Sequence, residues 1–146
     1  IMIKLFINLI LLTSIFCHFA LANDADYSKS LKLFESGSLI VDVRNKSEWQ
    51  ETGVIPGSKL IQMLTPAMTL RNDFINDLIS VIGDDKSIKA GIICKSGGRS
   101  SATVAMLKEK GYKNIYNMIE GVVGDEKNTG WITRGYPIVE CQKDCD

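Results

Sequence analysis

Ile88-Lys89-Ala90-Gly91-Ile92-Ile93-Cys94-Lys95-Ser96-Gly97-Gly98-Arg99-Ser100 decides how this chain folds. Ile88 to Cys94 is a short apolar run with β-branched residues, the mark of a strand buried on both faces. Two glycines follow. Ser100 to Lys110 then has helical spacing, with Ala102, Ala105 and Met106 expected inward and Gly111 as the C-terminal cap. A strand that turns tightly into a helix is the repeating unit of an α/β layered domain.

The same alternation continues outward in both directions. Leu39-Ile40-Val41-Asp42-Val43 and Asn114 to Met118 have the composition of further strands, and Leu60-Ile61 of a short one. Tyr27, Leu31 and Phe34 fall on one face of a helix closed by Gly37. Thr65-Pro66 fits an N-cap with proline at the first helical position, opening a helix whose apolar face carries Ile75, Leu78, Ile79 and Ile82. Residues 44–57 are polar and read as a connection ending in the Ile55-Pro56-Gly57 turn. Trp131 to Gly135 fits a last helical turn. The expected architecture is α/β, with three layers and a central, mostly parallel sheet flanked by helices.

The turn itself carries chemistry. Adjacent glycines let the backbone curl so that successive N–H groups line an anion-binding concavity. The helix that follows adds the positive end of its dipole. A cysteine held there has its thiolate form favoured, and the thiolate is the nucleophile. Lys95 and Arg99 add positive charge, and a guanidinium can grip an oxyanion through two parallel hydrogen bonds. A cysteine that merely fills a core needs neither the glycines nor the flanking cations. Cys94 is therefore the expected nucleophile, with Lys95, Ser96, Gly97, Gly98, Arg99 and Ser100 as the cradle. Lys95 fits either attraction of an anionic substrate or plain solvation.

Composition narrows the chemistry further. The 146 residues carry 17 basic and 17 acidic side chains, so the net charge of zero gives no footprint for nucleic acid. Residues 1–22 hold one charge, Lys4, then an apolar stretch of roughly 12 residues and Ala20-Leu21-Ala22, the pattern of a secretory signal peptide. The stretch is too short to span a bilayer. Cleavage after Ala22 removes Cys17 and the single histidine, His18. That leaves three cysteines and rules out Ser-His-Asp and Cys-His mechanisms for the exported chain. The expected organisation is a leader over 1–22, a domain over 23–140 and a short tail over 141–146, in a periplasmic or secreted protein with no membrane attachment after cleavage.

The loop resembles the active-site loop of the rhodanese sulfurtransferase family in its single-domain form: a cysteine, four residues, an arginine, then serine or threonine. Asp42-Val43-Arg44, Glu48-Trp49 and Gly53-Val54-Ile55-Pro56-Gly57 are similar to the family's D-V-R…E-[YF]…G-H-I-P-G-A signature, with Val54 where histidine is usual. Glu120-Gly121, Trp131 and Gly135-Tyr136-Pro137 resemble its closing motif, with about five extra residues within Gly124 to Gly130. The resemblance spans roughly residues 28–138. It implies a persulfide on Cys94, a small anionic sulfur donor such as thiosulfate, and a thiol, cyanide or protein-thiol acceptor. No cofactor is expected, and no metal either, since the histidine leaves with the leader and three scattered cysteines make a poor metal site. A tyrosine phosphatase loop has five residues between cysteine and arginine, and this one has four.

Other readings fit the same residues. The domain can instead hold or deliver sulfur to a partner with little turnover of its own, or exchange disulfides between Cys94 and the tail. In an oxidising compartment Cys141 and Cys145 most simply form a disulfide, or alternatively serve as a resolving pair. Asp42 is expected to brace a neighbouring loop, Arg44 and Glu48 to pair at the surface, and Trp49 and Trp131 to sit in the core or its walls.

Overall fold

The computed structural model describes residues 23–141 and Cys145. The leader expected over residues 1–22, with Cys17 and His18, lies outside the described residues. The elements run β1 (Asp24–Ala25), α1 (Tyr27–Glu35), β2 (Leu39–Asp42), α2 (Lys46–Thr52), β3 (Lys59–Leu60), α3 (Phe74–Ile82), β4 (Lys89–Ile93), α4 (Gly98–Glu109) and β5 (Asn114–Met118). The sheet order is β1-β5-β4-β2-β3, and every pairing in it is parallel.

Burial on both faces explains the unbroken apolar runs. Side chains alternate across the sheet. Val41, Val43, Ile92, Cys94 and Ile115 face a cluster with Phe74, Leu78 and Ile82 of α3 and Val104 and Leu107 of α4. Ile40, Ile93 and Met118 face the opposite cluster, where Leu31 and Phe34 of α1 meet Trp131. The three layers are thus α3 and α4, then the sheet, then α1 with the Trp131 turn. Both tryptophans are buried, Trp49 with Val54 and Cys141 in a third, smaller cluster.

Several elements depart from expectation. The polar stretch 44–57 contains α2. Its one buried side chain is Trp49, and its start is fixed by Glu48, whose carboxylate accepts the Asn45 N–H at 2.9 Å. Thr65-Pro66 does not open α3, which begins at Phe74. Thr65 instead closes a local turn, its N–H on the Thr69 carbonyl and its hydroxyl against that of Thr69. The inner face of α4 carries Ser100, Thr103, Val104 and Leu107, with Ala102 and Ala105 exposed. Polar side chains lie inward there because their hydroxyls find acceptors: Thr103 Oγ1 donates to the Arg99 carbonyl at 2.8 Å. The two-residue strand β1 adds an edge to the sheet beside β5.

Candidate active site

Cys94 follows the last residue of β4, at the carboxyl end of a central strand, the usual ligand position of a parallel sheet. It is 1% exposed and is the free cysteine among the described residues. Its sulfur receives the Gly97 N–H at 3.2 Å and has the Ser100 hydroxyl 3.3 Å away. Gly97 is the left-handed N-cap of α4, and an added Cβ there would collide with the Ile119 carbonyl. Gly98 meets no such obstacle and is an ordinary helical position. Only one of the two glycines is therefore needed for the curl. The first intrahelical bond runs from Ser101 N–H to Gly97 O, so the amides of Gly98, Arg99 and Ser100 stand at the helix end without helical acceptors.

The chain after β5 clamps this loop from above. Val122 N–H donates to Cys94 O at 2.9 Å, and the amides of Val123 and Gly124 both reach Lys95 O. Gly121 has φ +68°, and a side chain there would strike the Lys95 carbonyl. The extra segment after Gly124 is a tight turn: Asp125 Oδ1 accepts the amides of Lys127 and Asn128, each at 2.8 Å. Lys95 and Gly98 are exposed, Ser96 is half-buried, and Gly97 and Ser100 are buried.

Asp42 and Arg44 form a closed network under the site. Both side chains are wholly buried, joined through Arg44 Nη2 and Asp42 Oδ2 at 2.7 Å and through Arg44 Nε. The rest of the guanidinium donates to Thr52 Oγ1 (2.6 Å), the Gly53 carbonyl (2.8 Å) and the Glu48 carbonyl (3.3 Å). Arg44 thereby ties the end of β2 to the end of α2. A buried charge is tolerable only when paired and hydrogen-bonded in this way.

That tie corrects the expected surface pair of Arg44 with Glu48. The Glu48 carboxylate binds Arg99 instead, Oε2 to Nη1 and Oε1 to Nη2, both at 2.7 Å. The two parallel bonds expected for a bound oxyanion are thus made to a carboxylate of the chain itself. Burial alone would raise the Glu48 carboxyl. The Arg99 bonds, the Asn45 N–H and the charges of Arg99 and Arg44 outweigh it and hold the carboxyl below its ordinary value. The bonds from Glu48 hold Arg99 above its ordinary value, against the opposing effect of burial.

The arrangement matches a known family. A model of the rhodanese-like domain fits residues 26–127. The chain belongs to the rhodanese-like domain family. An uncharacterised protein of Rickettsia rickettsii is 32% identical over 100 residues, covering 68% of this chain and 81% of its own. A solved rhodanese-like domain protein of Staphylococcus aureus is 28% identical, with a TM-score of 0.55 over 71% of this chain and 93% of its own. A Mycobacterium tuberculosis structure shares the fold, with a TM-score of 0.66 at 23% identity over 82% of this chain and all of its own.

Two parts of this rhodanese-like site escape sequence reasoning. Asn117 on β5 is buried and accepts the Ser100 hydroxyl at 2.7 Å, and its Nδ2 donates to Asp24 Oδ1 at 3.1 Å. Glu48 was visible as a motif residue, but its partnership with Arg99 was not. The tail cysteines Cys141 and Cys145 are joined as a disulfide, their Cα atoms 5.4 Å apart. Cys141 is buried beside Trp49 and Val54, in a cluster separate from the one that holds Cys94.

Proposed function

We propose that this chain is a sulfurtransferase that carries sulfane sulfur as a persulfide on Cys94. The observation that carries this reading is the Cys94 sulfur at the head of α4, receiving the Gly97 amide with the Ser100 hydroxyl 3.3 Å away. Hydrogen bonds and a helix N-terminus aimed at one sulfur stabilise negative charge that develops on it. The thiolate attacks the outer sulfur of a donor such as thiosulfate. A sulfur–sulfur bond forms to Cys94, the donor's own sulfur–sulfur bond breaks, and sulfite leaves with the electron pair. Cyanide or a thiolate then attacks the outer sulfur, and the Cys94 thiolate leaves and is restored. The loop amides oppose the negative charge in both steps. A recessed sulfur suits a small donor, and exposed Lys95 offers such an anion an approach.

Arg99 fits a role at the rim rather than at the sulfur. Its Nη atoms each spend one bond on Glu48, which leaves further N–H groups for an incoming anion. Export to the periplasm or beyond belongs to the same proposal. It rests on the leader pattern and on the joined tail cysteines, which suit an oxidising compartment. Steady-state thiocyanate formation from thiosulfate and cyanide tests the catalytic reading. Turnover that disappears in Cys94→Ser supports it. A Cys94 persulfide that forms without turnover assigns the chain a carrier role instead.

A further inference from the structure

We propose that Asn117, oriented by Asp24, is a positioning residue that sets the balance between thiol and thiolate at Cys94 through the Ser100 hydroxyl. The inference rests on Cys94 as the nucleophile and deepens that reading. Ser100 Oγ has one proton and three acceptors within reach: Asn117 Oδ1 at 2.7 Å, the Gly97 carbonyl at 3.1 Å and Cys94 Sγ at 3.3 Å. The Gly97 carbonyl, which also accepts the Ser101 N–H, lies farther from Ser100 Oγ than Asn117 Oδ1 does. The exchange that bears on the nucleophile is the one between Asn117 and the sulfur.

Asp24 settles which end of the Asn117 amide faces Ser100. An ionised carboxylate only accepts, so it takes the Nδ2 group and turns Oδ1 toward the hydroxyl. When Cys94 is a thiol, the Ser100 hydroxyl donates to Asn117 Oδ1, the nearest acceptor, and a lone pair of Oγ faces the S–H. When Cys94 ionises, its proton leaves to water and the hydroxyl turns to the sulfur. Asn117 Oδ1 is then left without a donor among the described residues, on a side chain only 2% exposed. A buried acceptor without a partner is costly. Asn117 thus opposes the ionisation that Ser100, the helix end and Arg99 favour.

The charged groups that act on the sulfur stay in place throughout. Arg99 acts on Cys94 by charge and remains paired with Glu48, and Asp42 remains paired with Arg44. The edge strand β1 therefore does more than extend the sheet, because its first residue, Asp24, orients the amide that holds the hydroxyl at the nucleophile.

The test is the pH profile of Cys94 alkylation by iodoacetamide, read by peptide mass in the full chain. Ser100→Ala is expected to move the profile to higher pH. Asp24→Ala and Asn117→Ala are expected to move it to lower pH, by about half a unit, or about threefold in rate at a fixed mildly acid pH. Opposite signs distinguish this role from a scaffold. A displacement of both variants in the Ser100→Ala direction, or none, overturns the proposal. Asp24 is exposed, so if Asn117→Ala does not fold, Asp24→Ala is read at high salt, where loss of the carboxylate's own charge is screened: a displacement to lower pH that persists there supports the proposal, and one that salt abolishes overturns it. Persulfide loading is read separately. Opposite displacements with no sulfur taken up from any donor would leave this inference standing and remove the sulfurtransferase reading.

Discussion

Arg44 and Arg99 both flank α2 and both bind a carboxylate, yet they are used in opposite ways. Arg44 is wholly buried and spends its guanidinium on Asp42, Thr52 and two backbone carbonyls. Arg99 is 20% exposed at the side chain, and among the described residues its guanidinium meets one group, the Glu48 carboxylate. The first has no donor to spare and fixes the position of α2. The second keeps donors at the loop, beside Cys94. Glu48 connects the two: its carbonyl accepts from Arg44, and its carboxylate holds Arg99. A buried, satisfied arginine is architecture, and a half-buried one with donors to spare fits the proposed contact with an anion.

The largest effect is expected where the network is closed. Arg44→Ala strands the Asp42 carboxylate in the core and is expected to cost about 3–5 kcal/mol of stability, read from urea unfolding midpoints. A loss below about 1 kcal/mol would break the contrast, since such values belong to exposed pairs. Arg99→Ala is expected to leave stability within about 1 kcal/mol while lowering sulfur-transfer turnover about a hundredfold. Equal damage to stability by both arginine variants would show that Arg99 is architecture as well.

The glycine pair sharpens the contrast within the loop. Gly97→Ala forces a side chain into the left-handed region and against Ile119, and is expected to cost about 2 kcal/mol. Gly98→Ala is expected to be within about 0.5 kcal/mol, both by thermal unfolding. A smaller effect than that of Gly97 lies at Glu48. Because its folded carboxyl titrates below its ordinary value, the unfolded chain takes up the proton first as pH falls. The stability it contributes is therefore present above the ordinary carboxylate value and lost as pH drops through the folded one. Glu48→Gln is expected to cost about 1 kcal/mol at neutral pH and to flatten that acid-side loss. A parent and variant with parallel melting curves down to low pH would contradict the assignment.

The sheet was largely legible because its strands are buried on both faces and so appear as plain apolar runs. β1 was not, since two residues carry no periodicity. α2 was hidden because one buried side chain, Trp49, makes no amphipathic pattern, and its start depends on Asn45 and Glu48. Thr65-Pro66 satisfies the rules for a helix start, but the same residue types close the Thr65–Thr69 turn. The rotated face of α4 follows from Ser100 and Thr103 being drawn inward by hydrogen bonds, which hydrophobic spacing does not register. At the site, Cys94 and its glycine turn were readable because they are contiguous. The Arg99–Glu48 and Asn117–Asp24 contacts span 51 and 93 residues, and no local motif announces them.

The central claim is that Cys94 accepts sulfur, and intact mass tests it most directly. Incubation with thiosulfate, or with a persulfide or polysulfide donor, is expected to add about 32 Da at Cys94, removable by cyanide and absent in Cys94→Ser. No added mass with any of these donors, or the same addition in Cys94→Ser, would contradict the account.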